Sequence, residues 1–152
     1  MSDNNLQIIQ KHYAASDRGD VNAMLEVLAP DAAWTEMAGF PYAGTYVGPQ
    51  AVLDGVFKRI QSDWNGYKFQ LERLCDAGDT IVALGQYSGT YKETGKPFQC
   101  RVAHVWQLKD GKVCKFEQFC DTLLVAQAMR RAPADASAGK NNGPAPPRTV
   151  FE

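Results

Sequence analysis

Residues 97–124 read PFQCRVAHVWQLKDGKVCKFEQFCDTLL, and they carry the strongest structural signal in the chain. Apolar and polar side chains alternate on both sides of Lys109-Asp110-Gly111, which predicts two long strands joined by a tight turn. The even positions, which are mostly apolar, are Phe98, Cys100, Val102, His104, Trp106 and Leu108 in the first strand and Cys114, Phe116, Gln118 and Cys120 in the second. The pattern therefore predicts a hairpin with one apolar face.

The length of the turn determines which side chains face each other across this hairpin. A two-residue turn would pair Trp106 with Lys115 and mix apolar side chains with charged ones. A three-residue loop closed by Gly111 gathers the apolar side chains on one face instead, so we predict that loop. The predicted pairs are Trp106–Cys114, His104–Phe116 and Val102–Gln118. This face would be a concave apolar surface with two polar groups, which is typical of a small-molecule pocket.

Length and composition predict one globular domain. The chain has 152 residues, of which 45% are hydrophobic and 22% charged, so it can form a substantial core. A formal net charge of −1 gives no reason to expect nucleic acid or an anionic membrane as a partner. The start, MSDNNLQIIQ, lacks the features of a signal peptide, and no apolar run approaches the ~20 residues of a membrane span. We therefore expect a cytoplasmic protein.

The four cysteines show no CxxC spacing and fall in predicted strands, so we interpret them as buried free thiols. The predicted register places Cys100 opposite Cys120, and its geometry leaves a disulfide open.

Helices come first in the chain and strands follow. The predicted helices cover residues 3–17, 21–29 and 49 to about 65. The predicted strands cover residues 32–37, 44–47, 67–75 and 80–91, in addition to the hairpin. This order predicts an α+β domain over residues 1–129, with three helices packed on one face of a curved antiparallel sheet.

From about Arg130 onward the chain is rich in Pro, Gly and Ala and has few apolar residues. Such a segment cannot repay its ordering entropy with a core, so we interpret residues 130–152 as a mobile tail. Its end, RTVFE, is apolar enough to dock on a partner subunit as an added strand.

Several segments together resemble the NTF2-like superfamily, in particular its SnoaL-like and ketosteroid-isomerase-like branch. These are the helical start ending in RGD, the strand DAAWTEM, GTYVGPQAV before a helix, the strand ending AHVWQLKDGKV, and KFEQFCDT. The resemblance covers roughly residues 5–127. It implies a cone, in which a strongly curved sheet wraps around three helices and leaves a deep cavity. It also implies a small apolar organic ligand and a homodimer formed through the outer sheet face.

The resemblance also implies catalytic residues. Ketosteroid isomerases place a carboxylate base at the end of the short strand, where this chain has Glu36. They place a proton-sharing acid on the long strand, where this chain has His104, a weaker donor when neutral. They place a tyrosine on the first helix, and Tyr13 is similar, although the match slips by one position onto His12. SnoaL-like cyclases use a carboxylate on the last strand, and Asp121 is similar in place.

The residues themselves allow two interpretations at each position. Trp34 beside Glu36 would raise the pKa of the carboxyl group toward neutrality, which suits a general base, but Glu36 can also be an exposed strand end. His104 can be a core residue, or a general acid or oxyanion donor on the concave face. Asp121 lies at an odd position of the hairpin, and the odd positions face away from the pocket, which favours a structural role with Arg101 as its partner.

The expected pocket lining is Trp34, Tyr42, Trp64, Val102, Trp106, Phe116, Gln118 and Cys120. We expect no metal, because the chain has only two histidines and no HxH or HExxH motif, and we expect no cofactor. The predicted function is cofactor-free proton transfer on a mid-sized, largely apolar molecule: isomerisation, cyclisation, dehydration or water addition. The alternative is a ligand-binding or dimeric accessory module without turnover.

Overall fold

The computed structural model describes residues 4–131, so most of the predicted tail, including RTVFE, lies outside the described residues. The strands are β1 Leu28–Glu36, β2 Gly44–Val47, β3 Trp64–Ala77, β4 Thr80–Tyr91, β5 Pro97–Lys109 and β6 Lys112–Cys120. They form one curved sheet in the order β2-β1-β6-β5-β4-β3. The predicted α+β fold is confirmed.

The sheet is antiparallel between all neighbours except β1 and β6, which are parallel. A parallel pair needs a long crossover connection, and here the intervening chain contains a helix and strands β2 to β5. The pattern of each strand alone does not reveal this pairing. The pairing also brings the end of β1 beside the central hairpin, because Glu36 lies opposite Gln118.

The hairpin turn differs from the prediction. Lys109 pairs with Lys112, so the loop has the two residues Asp110 and Gly111, both with positive φ angles (52° and 77°). Such angles are typical of a type I′ turn, whose twist matches that of the strands. The predicted three-residue loop is therefore wrong.

A β-bulge compensates for the shorter turn. The register shifts between Gln107 and Leu108, and Cys114 has no partner in the ladder. Because of this extra residue, the even positions of β6 beyond Cys114 lie on the same face of the sheet as the even positions of β5, as predicted. Each of these residues of β5, however, pairs with a residue two positions later in β6 than predicted. The observed pairs are Trp106–Phe116, His104–Gln118 and Val102–Cys120. All four cysteines are free thiols, but only Cys100 is buried, so the predicted burial is wrong for Cys75, Cys114 and Cys120.

The helices cover the concave face of the sheet. Helix α1, Asn5–Asp17, begins with a capping box in which Asn4 accepts from the backbone of Gln7. Helix α2, Val21–Glu26, is capped at its N-terminus by Asp20, whose side chain accepts a hydrogen bond from the backbone N–H of Ala23. None of the helices within residues 4–131 is long and apolar enough to cross a membrane.

The third helix has three segments, which are Pro49–Val52, a π-helical turn Leu53–Phe57, and Lys58–Asp63. We call residues 49–63 the bulged helix. The π-helical turn allows Val56 and Phe57, which are neighbours in sequence, both to line the interior cavity. Gly55 lies in this turn because a Cβ there would overlap the ring of Tyr46.

A short closing helix, Thr122–Met129, follows β6 and was not predicted from the sequence. Its Val125 and Ala128 are buried, and Thr94 donates a hydrogen bond to the carbonyl of Ala128 at 2.6 Å. The closing helix therefore packs against the rest of the described chain and is part of the fold.

Candidate functional site

A cavity of about 350 Å³ lies between the helices and the concave face of the sheet. This volume falls at the lower end of the range for small-molecule sites. Most of its wall is apolar and comes from α1, α2, the bulged helix and β3. The titratable side chains of the wall, apart from Lys68, are His12, Tyr13, Glu36, Tyr67, Tyr87 and His104.

Glu36 stands at the end of β1, on the same face as Trp34, and is 4% exposed. The indole N–H of Trp34 donates a hydrogen bond to Glu36 Oε1 at 2.9 Å. Glu36 Oε2 is buried and has no hydrogen-bond partner within residues 4–131. Burial raises the pKa of Glu36 to about 8, although the bond from Trp34 acts in the opposite direction. The carboxyl group is therefore mostly protonated at neutral pH and has one oxygen free.

His104 lies between two tyrosines. Its Nδ1 is 2.6 Å from the hydroxyl of Tyr13, and its Nε2 is 2.6 Å from the hydroxyl of Tyr87. Burial lowers the pKa of His104 to about 3, so the imidazole is neutral at physiological pH. We call these three groups the Tyr13–His104–Tyr87 chain. Because protein groups occupy both ring nitrogens, a ligand in the cavity has no direct access to either nitrogen of His104.

Each tyrosine of this chain also accepts a hydrogen bond from a fixed donor. The indole N–H of Trp106 donates to the Tyr13 hydroxyl at 2.9 Å, and the amide of Gln118 donates to the Tyr87 hydroxyl at 3.4 Å. The other end of Gln118 accepts from the backbone N–H of Met37 at 3.4 Å, which fixes the orientation of the amide. These buried bonds hold both tyrosine rings at the cavity wall.

Two further polar side chains complete the wall. The Tyr67 hydroxyl is buried without a hydrogen-bond partner among residues 4–131, and its ring lies 5.2 Å from that of Tyr87. Burial and the nearby Tyr87 and Glu36 raise the pKa of Tyr67. His12 Nδ1 donates to the carbonyl of Met24 at 3.1 Å, and burial lowers the pKa of His12 to about 4. The interior groups are thus uncharged near pH 7, apart from the minor ionised fraction of Glu36.

The structure places the predicted catalytic residues in two different regions. Glu36, His104 and Tyr13 line the same cavity. Asp121 is exposed between β6 and the closing helix and does not line the cavity, so the structure gives no support to a catalytic role for it. Its backbone N–H donates to the Arg101 carbonyl, whereas the Arg101 side chain pairs with Glu72 instead of Asp121.

Most of the residues that were predicted to line the pocket pack against other side chains instead. Trp64 lines the cavity. The other predicted residues lie outside the cavity surface, and they are Trp34, Tyr42, Val102, Trp106, Phe116, Gln118 and Cys120. The reason is that the large rings pack on one another: the ring centroids of Trp34 and Phe116 are 3.7 Å apart, and those of Trp106 and Phe116 are 4.5 Å apart. These rings therefore occupy the part of the interior where the hairpin pattern predicted a pocket.

Sequence reasoning missed Tyr67, Phe69 and Tyr87, which come from β3 and β4. The alternation in β4 indicates that Tyr87 is buried, because Tyr87 lies an even number of residues after Ile81 and therefore on the same, buried face of the strand. No sequence signal relates Tyr87 to His104, since this contact depends on the register between β4 and β5 and on side-chain rotamers.

The comparisons with known proteins agree with this architecture. The SnoaL-like domain family matches residues 9–116. A crystal structure of an NTF2-like protein from Burkholderia thailandensis is 56% identical, has a TM-score of 0.83, and covers 84% of this chain and 98% of its own. An NTF2-like protein of unknown function from Burkholderia pseudomallei is 26% identical, with a TM-score of 0.77, and covers 83% of this chain and 97% of its own.

A third structure was obtained by co-crystallisation with a small molecule. TerC, co-crystallised with polyporic acid, is 23% identical, has a TM-score of 0.74, and covers 82% of this chain and 97% of its own, so it supports the fold alone. A search of curated proteins gave no significant match. The family match over residues 9–116 and the 56% identity lead to one conclusion: this chain belongs to the SnoaL-like domain family and has the NTF2-like fold.

Proposed function

We propose that this protein binds a small, largely apolar organic molecule that carries a carbonyl or enol oxygen, and that it transfers a proton on this molecule without a cofactor. The reaction class would be isomerisation, aldol-type cyclisation, dehydration or water addition. The observation that carries the proposal is Glu36 Oε2, which is buried in the cavity wall and has no partner within the described chain. A general base needs such a free oxygen within reach of the substrate.

Glu36 would act as the base. With a pKa of about 8, its ionised fraction at pH 7 is about one tenth, and this ionised form is a far stronger base than an exposed carboxylate. It would remove a proton from a carbon next to the carbonyl group. The same carboxyl group, now protonated, would return the proton at another position.

The negative charge that develops on the substrate oxygen requires hydrogen-bond donors. Tyr13, Tyr67 and Tyr87 line the cavity with Glu36, and hydroxyl groups in a dry site stabilise such a charge more strongly than water does. His104 would contribute through the two tyrosines and would not touch the substrate. Ketosteroid isomerases have a proton-sharing acid at the position of His104. In this protein the hydrogen-bonded tyrosines and His104 would together take over the role of that acid.

The test is deuterium exchange, which needs no knowledge of the natural product. Aromatic and alicyclic ketones that raise the melting temperature of the protein would be incubated with it in D2O, and loss of the α-proton signal would be followed by NMR. We expect Glu36→Gln to slow the exchange by about a hundredfold or more. Glu26→Gln, at an exposed position on α2, is the matched control. Equal exchange rates in the Glu36→Gln variant and the wild type would refute the proposal.

A second candidate function is ligand binding without turnover. The observation that favours it is the satisfied state of His104, whose two nitrogens both bond to tyrosines. TerC, which has this fold, was co-crystallised with polyporic acid. Ligands that stabilise the protein but undergo no exchange at any pH would support this candidate against the enzyme.

We propose in addition that the chain forms a homodimer through the outer face of the sheet. Phe119 on β6 is 42% exposed on this face, and the nearby Leu123 of the closing helix is 55% exposed. Burying apolar side chains of this size is a common source of dimer stability. Sedimentation equilibrium on the wild type and on Phe119→Asp tests the proposal, and an unchanged monomeric mass in both would contradict it.

A further inference from the structure

The hydrogen atoms of the Tyr13–His104–Tyr87 chain can be counted. The neutral imidazole has one N–H, and the two phenols have one O–H each, which gives three protons. The chain contains two links, from Tyr13 to Nδ1 and from Nε2 to Tyr87, and each link uses one proton. One proton is therefore left over in every arrangement.

The tautomer of His104 determines which tyrosine keeps the extra proton. If Nδ1 is protonated, it donates to Tyr13, Tyr87 donates to Nε2, and the Tyr13 O–H is free. If Nε2 is protonated, it donates to Tyr87, Tyr13 donates to Nδ1, and the Tyr87 O–H is free. The fixed donors Trp106 and Gln118 point at the tyrosine oxygens and cannot accept the free proton.

We propose that the Tyr13–His104–Tyr87 chain is a two-ended hydrogen-bond donor, which presents one hydroxyl proton to a ligand oxygen from Tyr13 or from Tyr87 according to the tautomer of His104. His104 is then a positioning residue that never touches the ligand. The inference rests on the proposed function in one respect, which is that the ligand has an oxygen atom. It adds that the site accepts this oxygen near either tyrosine, because moving one proton across the imidazole moves the donor.

Three features support this proposal. Both tyrosines line the cavity, so both ends of the Tyr13–His104–Tyr87 chain lie at the wall of the ligand space. The low pKa of His104, about 3, keeps the proton count at three throughout the physiological range. The two links have the same length of 2.6 Å, so the hydrogen-bond distances favour neither tautomer.

The first experiment reads the tautomer directly by ¹⁵N NMR of the histidine rings at pH 7. The wild type should show a neutral His104, with one protonated ring nitrogen. In Tyr13→Phe the proton should lie on Nε2, where Tyr87 accepts it, and in Tyr87→Phe it should lie on Nδ1. His12, whose Nδ1 donates to a carbonyl, provides an internal reference. An imidazolium at position 104 in the wild type, or the same tautomer in both variants, would overturn the proposal.

The second experiment measures what the donor does for a ligand. The probes are acetophenone and ethylbenzene, which differ mainly in the carbonyl oxygen, and the readout is the ratio of their dissociation constants. Each single variant retains one free hydroxyl of the Tyr13–His104–Tyr87 chain, so the carbonyl preference should fall by less than about threefold. The double variant retains neither hydroxyl of this chain, and the preference should fall by about tenfold to the part that Tyr67 contributes. Loss of the whole preference in one single variant, or no preference in the wild type, would overturn the proposal.

Tyr67→Phe is the matched control, because Tyr67 lines the same cavity and takes no part in the chain. The factor by which Tyr67→Phe changes the carbonyl preference should multiply with the factor measured for Tyr13→Phe or Tyr87→Phe. Tyr67→Phe should also leave the tautomer of His104 unchanged. All these measurements can be repeated in Glu36→Gln. If proton exchange fails there while the tautomers behave as expected, the base and the donor are separated, so failure of the proposed catalysis is distinguishable from failure of the two-ended donor.

Discussion

The buried carboxyl group of Glu36 makes the stability of this fold depend on pH, and the substitution Glu36→Gln isolates that dependence. Below pH 4.5 the carboxyl group is protonated in both the folded and the unfolded chain, so it contributes nothing. As the pH rises to about 8, the unfolded chain loses the proton while the folded protein keeps it, so the wild type becomes less stable. Above pH 8 the penalty is constant.

The magnitude follows from the two pKa values. A change from 4.5 to about 8, at about 1.36 kcal/mol per pKa unit, corresponds to a loss of about 5 kcal/mol in the free energy of unfolding. The glutamine side chain of the variant does not titrate, and its carbonyl can still accept the bond from Trp34. The stability of Glu36→Gln relative to the wild type should therefore increase by about 5 kcal/mol between about pH 4 and pH 9.

The assay is urea unfolding followed by fluorescence of the three tryptophans, at closely spaced pH values in one ionic strength. Contributions from the two buried histidines are the same in both proteins and cancel in the difference. Glu26→Gln again controls for the loss of one carboxylate from the chain. A difference between Glu36→Gln and the wild type that stays constant across this pH range would refute the reasoning, because it would mean that burial does not raise the pKa of Glu36.

Three further predictions concern other parts of the structure. Gly55→Ala should lower the free energy of unfolding by about 1–3 kcal/mol, because the new Cβ would overlap the ring of Tyr46; an unchanged urea midpoint would contradict this. In Glu36→Gln, which lacks the opposing contribution of Glu36, stability should fall in acid as the pH drops below 6.5 toward 4 and 3, by about 1.4 kcal/mol per pH unit for each buried histidine; stability of this variant that is flat over this range would contradict it. Trp34→Phe removes the hydrogen bond that lowers the pKa of Glu36, so the midpoint of the pH–exchange profile should move above 8; a lower midpoint would contradict the assigned donor.

The sequence predicted the faces of the central hairpin better than its register. Alternation places His104, Trp106 and Phe116 on the buried face, because side chains in a strand point to opposite sides in turn. The register depends on the turn and on the bulge at Cys114, and a two-residue turn with a bulge has the same face pattern as a three-residue loop. Pattern alone cannot separate these two possibilities, because both bring the even positions to the core.

The cavity itself was only partly predictable. Glu36 and Tyr13 follow from their places on β1 and α1, which the family resemblance supplied. The polar partners Tyr67 and Tyr87 come from strands that carry no motif, and their roles arise from the register of β3, β4 and β5. The aromatic residues of the hairpin looked like pocket lining because they are large and apolar, but stacking such as that of Trp34 on Phe116 uses their surface for packing.

The most direct test of the central claim is a ¹³C NMR titration of the glutamate side-chain carboxyl groups, with the Glu36→Gln variant used to assign the signal of Glu36. The structure predicts a midpoint of about 8 for Glu36 in the free protein, and a change in that midpoint when a ketone occupies the cavity. A midpoint near 4.5, unaffected by any ketone that binds, would show that this carboxyl group is solvated and is not the base of the site.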